Sequence, residues 1–366
     1  MRNSQKTEKT LLDIIESIQT LAVWVTVTLL FIVVFLLSGA VTGDFWMLKS
    51  VPKLTASNKI DSQVSLPPIP PIKVKNKWVA PDFSTVPNTE KGRLIAYGRC
   101  LICNTSEYLG PQGSVSQMSN GMNCQNCHLE AGTKILGNNY SGVASTYPKF
   151  RPRSGTIENI EKRVNDCFER SLNGKALDSL NREMRAIVAY IEWVGKEVPV
   201  DSLPGGVGLY NVPYLDRPAS PEKGQLVYIQ KCQICHQPDG EGQLNPDGRT
   251  YLYPPLWGKN SYNIGAGLFR LSRFAGYVKV NMPLGATYSA PQLSDEEAWD
   301  VAAFVNSQPR PDRDLSQDWP KISAKPIDHP FGPFDDGFSE KQHKYGPYQQ
   351  IADARKNKKE LNSTKK

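Results

Sequence analysis

Histidine is scarce in this chain: His128, His236, His329 and His343 are the only four among 366 residues. No basic stretch is interleaved with aromatic residues, which leaves nucleic acid without a sequence signal. The formal charge of +7 is modest and suits a small anionic substrate or an acidic redox partner. Hydrophobic content is ordinary, and only one long apolar run occurs, near the N-terminus. The length accommodates two or three compact domains.

The seven cysteines are distributed unevenly. Six fall in three C-x-x-C pairs, Cys100/Cys103, Cys124/Cys127 and Cys232/Cys235, and Cys167 stands alone. Two of the four histidines directly follow such a pair, giving Cys124-Gln125-Asn126-Cys127-His128 and Cys232-Gln233-Ile234-Cys235-His236. Two thiols at this spacing can add to the two vinyl groups of haem while the next histidine reaches the iron. The expectation is two covalently attached haem c groups with His128 and His236 as axial ligands. Cys100-Leu101-Ile102-Cys103 has no following histidine and is not expected to attach a third; a disulfide, a labile redox pair or two packed thiols all remain open.

Leu21 to Val41 carries no charge and is about long enough to cross a bilayer as a helix. Ser38-Gly39-Ala40 offers a signal-peptide cleavage site, but the run exceeds a usual signal core and follows a polar extension. Because c-type haem is attached outside the cytoplasmic membrane, the expected location is the bacterial inner membrane, with a single-pass anchor and the haem domains in the periplasm.

The predicted organisation is mainly α, two cytochrome c-type haem domains after an N-terminal transmembrane helix. It assigns residues 1–20 to a cytoplasmic segment, 21–41 to the anchor and 42–88 to a Pro-rich tether containing Leu66-Pro67-Pro68-Ile69-Pro70-Pro71. The first haem domain spans 89–200, a Pro/Gly-rich linker 201–219, and the second haem domain 220–308. Thr89 is placed to cap one helix, and Ser294 with Glu297 forms a capping box opening another. Residues 309–366 form a tail whose aromatic part wraps the domains and whose end, from Ala352, reads as disordered.

Each haem needs a sixth ligand. In the second domain Met282 precedes the closing helix, where a thioether raises the potential and suits electron relay. The first domain has no histidine between His128 and His236. Local candidates are Met118, Met122, Met184 and Cys167, with His329 or His343 reaching in from the tail as a remote option. Met184 falls on the apolar stripe of a helix. Cys167 matches the place of Met282 and has Arg163 and Arg170 nearby, which favours a thiolate over an inert buried thiol.

Several segments resemble the diheme thiosulfate dehydrogenase family, whose first domain is similar to SoxA-type sulfur cytochromes. They are Tyr97-Gly98-Arg99, Asn104-Thr105, Gly121 to His128, Tyr147 to Arg153, Val164 to Gly174, Lys325 to Asp328 and Gln342 to Pro347. The resemblance implies a tetrathionate-forming oxidoreductase that joins two thiosulfates, in some members running in reverse as a tetrathionate reductase. It implies Cys167 as ligand of the active-site haem and Arg153, Arg163 and Ser171 around the anion. Electrons would pass from the His128/Cys167 haem to the His236/Met282 haem, then to another cytochrome c or a terminal oxidase. Some members place a lysine beside the distal methionine; here the neighbour is Asn281 and the nearest lysine is Lys279. The competing reading is a membrane-anchored diheme electron carrier without substrate chemistry.

Overall fold

The computed structural model describes residue 21, residues 24–30 and residues 69–363. The chain divides into two units, Met1–Pro67 and Pro68–Lys366. The described residues of the first are helical and exposed. Among the described residues no helix is long and apolar enough to cross a membrane, and a span needs about 20 consecutive apolar residues. The expected anchor at 21–41, and with it the inner-membrane placement, is therefore not supported. Most of that run, all of 1–20, and the tether as far as residue 68 lie outside the described residues.

The second unit is mainly helical. Its principal helices are α1 (Glu90–Cys103), α2 (Ile160–Arg170), α3 (Arg182–Val194), α4 (Pro221–Lys231), α5 (Leu271–Asn281), α6 (Asp295–Ser307) and α7 (Tyr348–Ser363). Two small antiparallel hairpins interrupt them, β1 (Lys149–Arg151) with β2 (Thr156–Glu158), and β3 (Gln243–Leu244) with β4 (Tyr251–Tyr253). Helix starts carry the side-chain caps that their sequences call for. Thr89 Oγ1 accepts from Gly92 N at 3.2 Å at the start of α1. At α6, Ser294 Oγ accepts from Glu297 N and Glu297 Oε2 accepts from Ser294 N, satisfying two otherwise orphaned donors.

Both halves are built on the same contact. In the first, α1 crosses α3; in the second, α4 crosses α6, which also packs on α5. Each crossing closes on a glycine. A Cβ on Gly98 would lie 1.9 Å from Ala186 O, and one on Gly224 would lie 1.8 Å from Asp300 O. Only a residue without a side chain lets the backbones approach this far. The buried apolar side chains form one core through both halves, from Leu101, Phe168 and Met184 to Tyr228, Phe274 and Trp299.

Segments expected to be loose are packed. Residues 69–88, the end of the expected tether, follow the body of the second unit: Ile72 N donates to Tyr288 O, Trp78 N donates to Gly205 O, and Trp78 is buried. The expected linker at 201–219 buries Leu209 and Val212 and accepts from Trp299 Nε1 at Pro213 O. The expected disorder after Ala352 is corrected by α7. Tyr348 and Ile351 are buried, Tyr348 lies 5.4 Å from Trp299 between ring centroids, and Arg355 donates to Lys325 O and Asp336 Oδ2. Polar composition hid one anchored helical face. Upstream, Phe331 stacks on Phe269 and Phe334 stacks on His343.

Gly98→Ala and Gly224→Ala should each lower stability by about 2 kcal/mol or more, because the opposing atom is backbone; an unchanged denaturation midpoint would contradict the crossings. Burial holds the pKa of His329 down at about 4 against an ordinary 6.5. The unfolded chain then binds more protons between those values, so stability falls as pH drops from 6.5 towards 4, by about 2–3 kcal/mol. His329→Gln should flatten that window in a stability–pH series.

Candidate active site

The loop before His128 is held from both sides. Asn126 Oδ1 accepts from Asn123 N at 2.7 Å, Thr105 Oγ1 accepts from Cys124 N at 3.0 Å, and Asn123 Oδ1 accepts from Ser106 N at 2.8 Å. This turns Cys124, Cys127 and His128 towards one cavity of about 1200 Å³, its open mouth included. His128 Nδ1 lies 2.6 Å from Asn138 O, and the ring stacks on Tyr140 at 4.6 Å. A carbonyl partner makes Nδ1 the protonated nitrogen and leaves Nε2 as the ligating one.

Cys167 lines the same cavity as His128. The other sixth-ligand candidates do not line it. Met184 is fully buried in the core, and Met122 lines a different cavity. His343 holds Ile327 O and Asp336, while His329 packs edge-on to Trp319 and Phe331.

Arg163, Cys167 and Ser171 follow one another at intervals of four along α2 and its C-cap, so one helix face presents all three to the cavity. Arg163 Nη1 donates to Cys167 Sγ at 3.1 Å. Burial alone would push the thiol up, but the Arg163 charge and the His128 hydrogen bond outweigh it and bring the pKa down to about 7. The thiolate in turn pushes Arg163 above its ordinary value. Further cations line the cavity: Lys149 and Arg151 from β1, and Arg273 from α5.

A second cavity, of about 1530 Å³ including its mouth, is lined by Cys232, Cys235, His236 and Met282. His236 Nδ1 lies 2.9 Å from Pro254 O, repeating the arrangement at His128. Met282 caps the C-terminus of α5. Asn123 and Cys127 belong to the walls of both cavities, and Tyr277 of α5 donates to Asn126 O at 2.6 Å across the boundary.

Residues 114–200 match the family model described as SoxA/TsdA, cytochrome c domain, and residues 221–309 match the cytochrome c model. The chain is 38% identical over 245 residues to a thiosulfate dehydrogenase of Psychrobacter arcticus, covering 67% of this chain and 72% of that one. It is 40% identical over 235 residues to a thiosulfate dehydrogenase of Allochromatium vinosum, covering 63% and 83%. The chain belongs to the thiosulfate dehydrogenase family. A solved structure, thiosulfate dehydrogenase (TsdBA) from Marichromatium purpuratum in the "as isolated" form, matches with a TM-score of 0.59 at 27% identity, covering 65% of this chain and 50% of that one.

Two cytochrome c domains imply haem c binding, and the donors fit it: each cavity carries two cysteines and one carbonyl-oriented histidine, with a further sulfur, Cys167 or Met282, among the remaining walls. For a member of the thiosulfate dehydrogenase family, one expected residue is placed otherwise than the sequence suggested. Arg153 does not line the cavity; its Nη1 donates to Gly265 O at 3.2 Å and its guanidinium lies over the Trp319 ring. Burial and the neighbouring Arg170 bring its pKa down to about 10. Lys149 and Arg151 were missed in its place. Strand alternation could have found them, since residues two apart share a face and the intervening Phe150 is exposed. Arg273 had no signal in the sequence, because only the packing of α5 against the first domain brings it there.

Proposed function

We propose that the chain joins two thiosulfates into tetrathionate, 2 S₂O₃²⁻ → S₄O₆²⁻ + 2 e⁻, with Cys167 as the sulfur nucleophile. The observation that carries this is Cys167, held towards the thiolate by Arg163 and opposite His128, inside a cavity ringed by cations. Two dianions about 5 Å apart repel by on the order of 10 kcal/mol at an effective dielectric constant near 20. Fixed guanidinium groups offset that repulsion before the chemistry begins. An electron carrier has no use for such a pocket.

Cys124, Cys127, His128 and Cys167 would hold one haem c, and Cys232, Cys235, His236 and Met282 the other; each haem would supply one-electron acceptance. The two irons together match the two electrons released. Cys167 Sγ forms a bond to the outer sulfur of the first thiosulfate with loss of two electrons, giving Cys–S–S–SO₃⁻. The outer sulfur of the second thiosulfate attacks the sulfur next to Cys167, tetrathionate departs, and the Cys167 thiolate returns to Arg163. The sequence moves no proton, and reversed it reduces tetrathionate. Ser171, one turn beyond Cys167, presents its hydroxyl to the bound oxygens. Electrons leave across the wall shared by the cavities and pass to an external acceptor, another cytochrome c or a terminal oxidase. Lys279 is committed to Leu293 O and Asp295, which favours Met282 as the lasting ligand of the second iron.

Cys167→Gly should reduce tetrathionate formation by about 10³-fold or more while both haems stay attached. Its electron paramagnetic resonance spectrum should lose one low-spin thiolate signature and keep the His/Met one. Normal turnover in that variant would sink the mechanism.

A further inference from the structure

Arg163 is already engaged by Cys167. Once the first thiosulfate is bonded to that sulfur, the second dianion needs cations of its own, on the other side of the S–S bond to be broken. We propose that Arg273, from the second haem domain, and Arg151, from the β1–β2 hairpin, form this second-thiosulfate seat. The inference rests on the Cys167 reading above.

Arg273 lines the Cys167 cavity, yet it stands near the start of α5, the helix that ends at Met282. No described carboxylate pairs with it. Asp328, the acid acting on it, is taken up by Arg270 Nε and Nη2 and by Ser272 N and Oγ. Arg273 shares the cavity wall with Lys149, Arg151 and Arg163, and no Asp or Glu lines that wall among the described residues; Arg270, at the start of α5, adds to the repulsion. Arg151 is held only loosely, with Nε 4.0 Å from Glu158 Oε2. Like charges gathered in a partly buried cavity repel one another unless an anion is drawn in among them. Two guanidinium groups can hold a sulfonate by paired N–H donors, which fixes the direction of its outer sulfur. A solvated surface arginine would not be expected to line the cavity that holds the nucleophile.

The discharge half-reaction isolates this seat. Tetrathionate exchanges with the Cys167 thiolate to give Cys–S–S–SO₃⁻ and free thiosulfate, with no net oxidation. Added thiosulfate reverses the exchange by attacking the sulfur next to Cys167. The haem-loaded protein is treated with tetrathionate, desalted and mixed with sub-saturating thiosulfate, and the adduct is followed by intact mass, with peptide mapping to Cys167. In Arg273→Gln the adduct should still form, but its discharge should slow about tenfold or more, with substantial recovery in Arg273→Lys. Arg151→Gln should slow discharge in the same direction. Discharge at the wild-type rate in both glutamine variants would overturn the proposal. Slowing at Arg273 that lysine fails to relieve would also overturn it, by assigning that side chain to holding α5. Wild-type protein that takes no adduct at Cys167 removes the parent reading instead, a failure distinct from either.

Discussion

A thiol buried in a protein ordinarily resists ionisation, and the contact between Arg163 Nη1 and Cys167 Sγ reverses that tendency. It is a local contact, four residues apart on one face of α2, so it forms with the helix itself. Its consequence is not local. A partly ionised sulfur opposite His128 can serve both as a ligand and as a nucleophile, and both roles need it charged. The same charge helps a pocket of cations to exist before substrate arrives. Arg163 is held above its ordinary pKa chiefly by that thiolate, while burial and the neighbouring Arg270 hold Arg273 below its own.

The second constraint is α5. Near its start it delivers Arg273 to the first cavity, and mid-helix Tyr277 bonds the loop between Cys124 and Cys127. At its end Asn281 donates to Leu136 O and Met282 enters the second cavity. From Arg273 to Met282 such a helix advances only about 14 Å. In the proposed mechanism one helix therefore registers the pocket at Cys167 against the relay at Met282. The common wall at Asn123 and Cys127 makes the same point from the other side. Separating the two domains would remove Arg273 from the Cys167 cavity and, in the proposed mechanism, lengthen the electron path.

The parts of this arrangement that were legible in the sequence are those governed by short spacing. The two C-x-x-C-H runs, the Thr89 cap, the Ser294 capping box and the Arg163–Cys167–Ser171 row are all patterns within a few turns of chain. Lys149 and Arg151 were within reach of the same logic, through the period of two in a strand, but Arg153 in the same run drew the attention. What could not be read is what depends on packing between distant segments. Arg273 looks like any surface arginine until α5 is laid against the first domain. The stretch from Ala352 reads as disordered by composition, yet Tyr348, Ile351 and Arg355 fasten one face of it. The stretches at 69–88 and 201–219 failed for the opposite reason. Proline and glycine mark where regular structure stops, not where packing stops.

The proposed division of labour between the two cavities rests on what surrounds each sulfur. Lys231 on the wall of the Met282 cavity is paired with Glu297, and Lys279 is paired with Asp295, so a neutral thioether is left in largely apolar surroundings. Around Cys167 the cations point inward, and Arg163 and Arg273 have no carboxylate bonded to them among the described residues. A thioether cannot become a nucleophile by losing a charge partner, and a thiolate is a poor choice for a ligand whose only task is relay. The asymmetry that would separate chemistry from conduction in the proposed mechanism is thus electrostatic before it is a matter of ligand identity. Moving a cysteine into the place of Met282, without cations to hold it ionised, would not make a second active site.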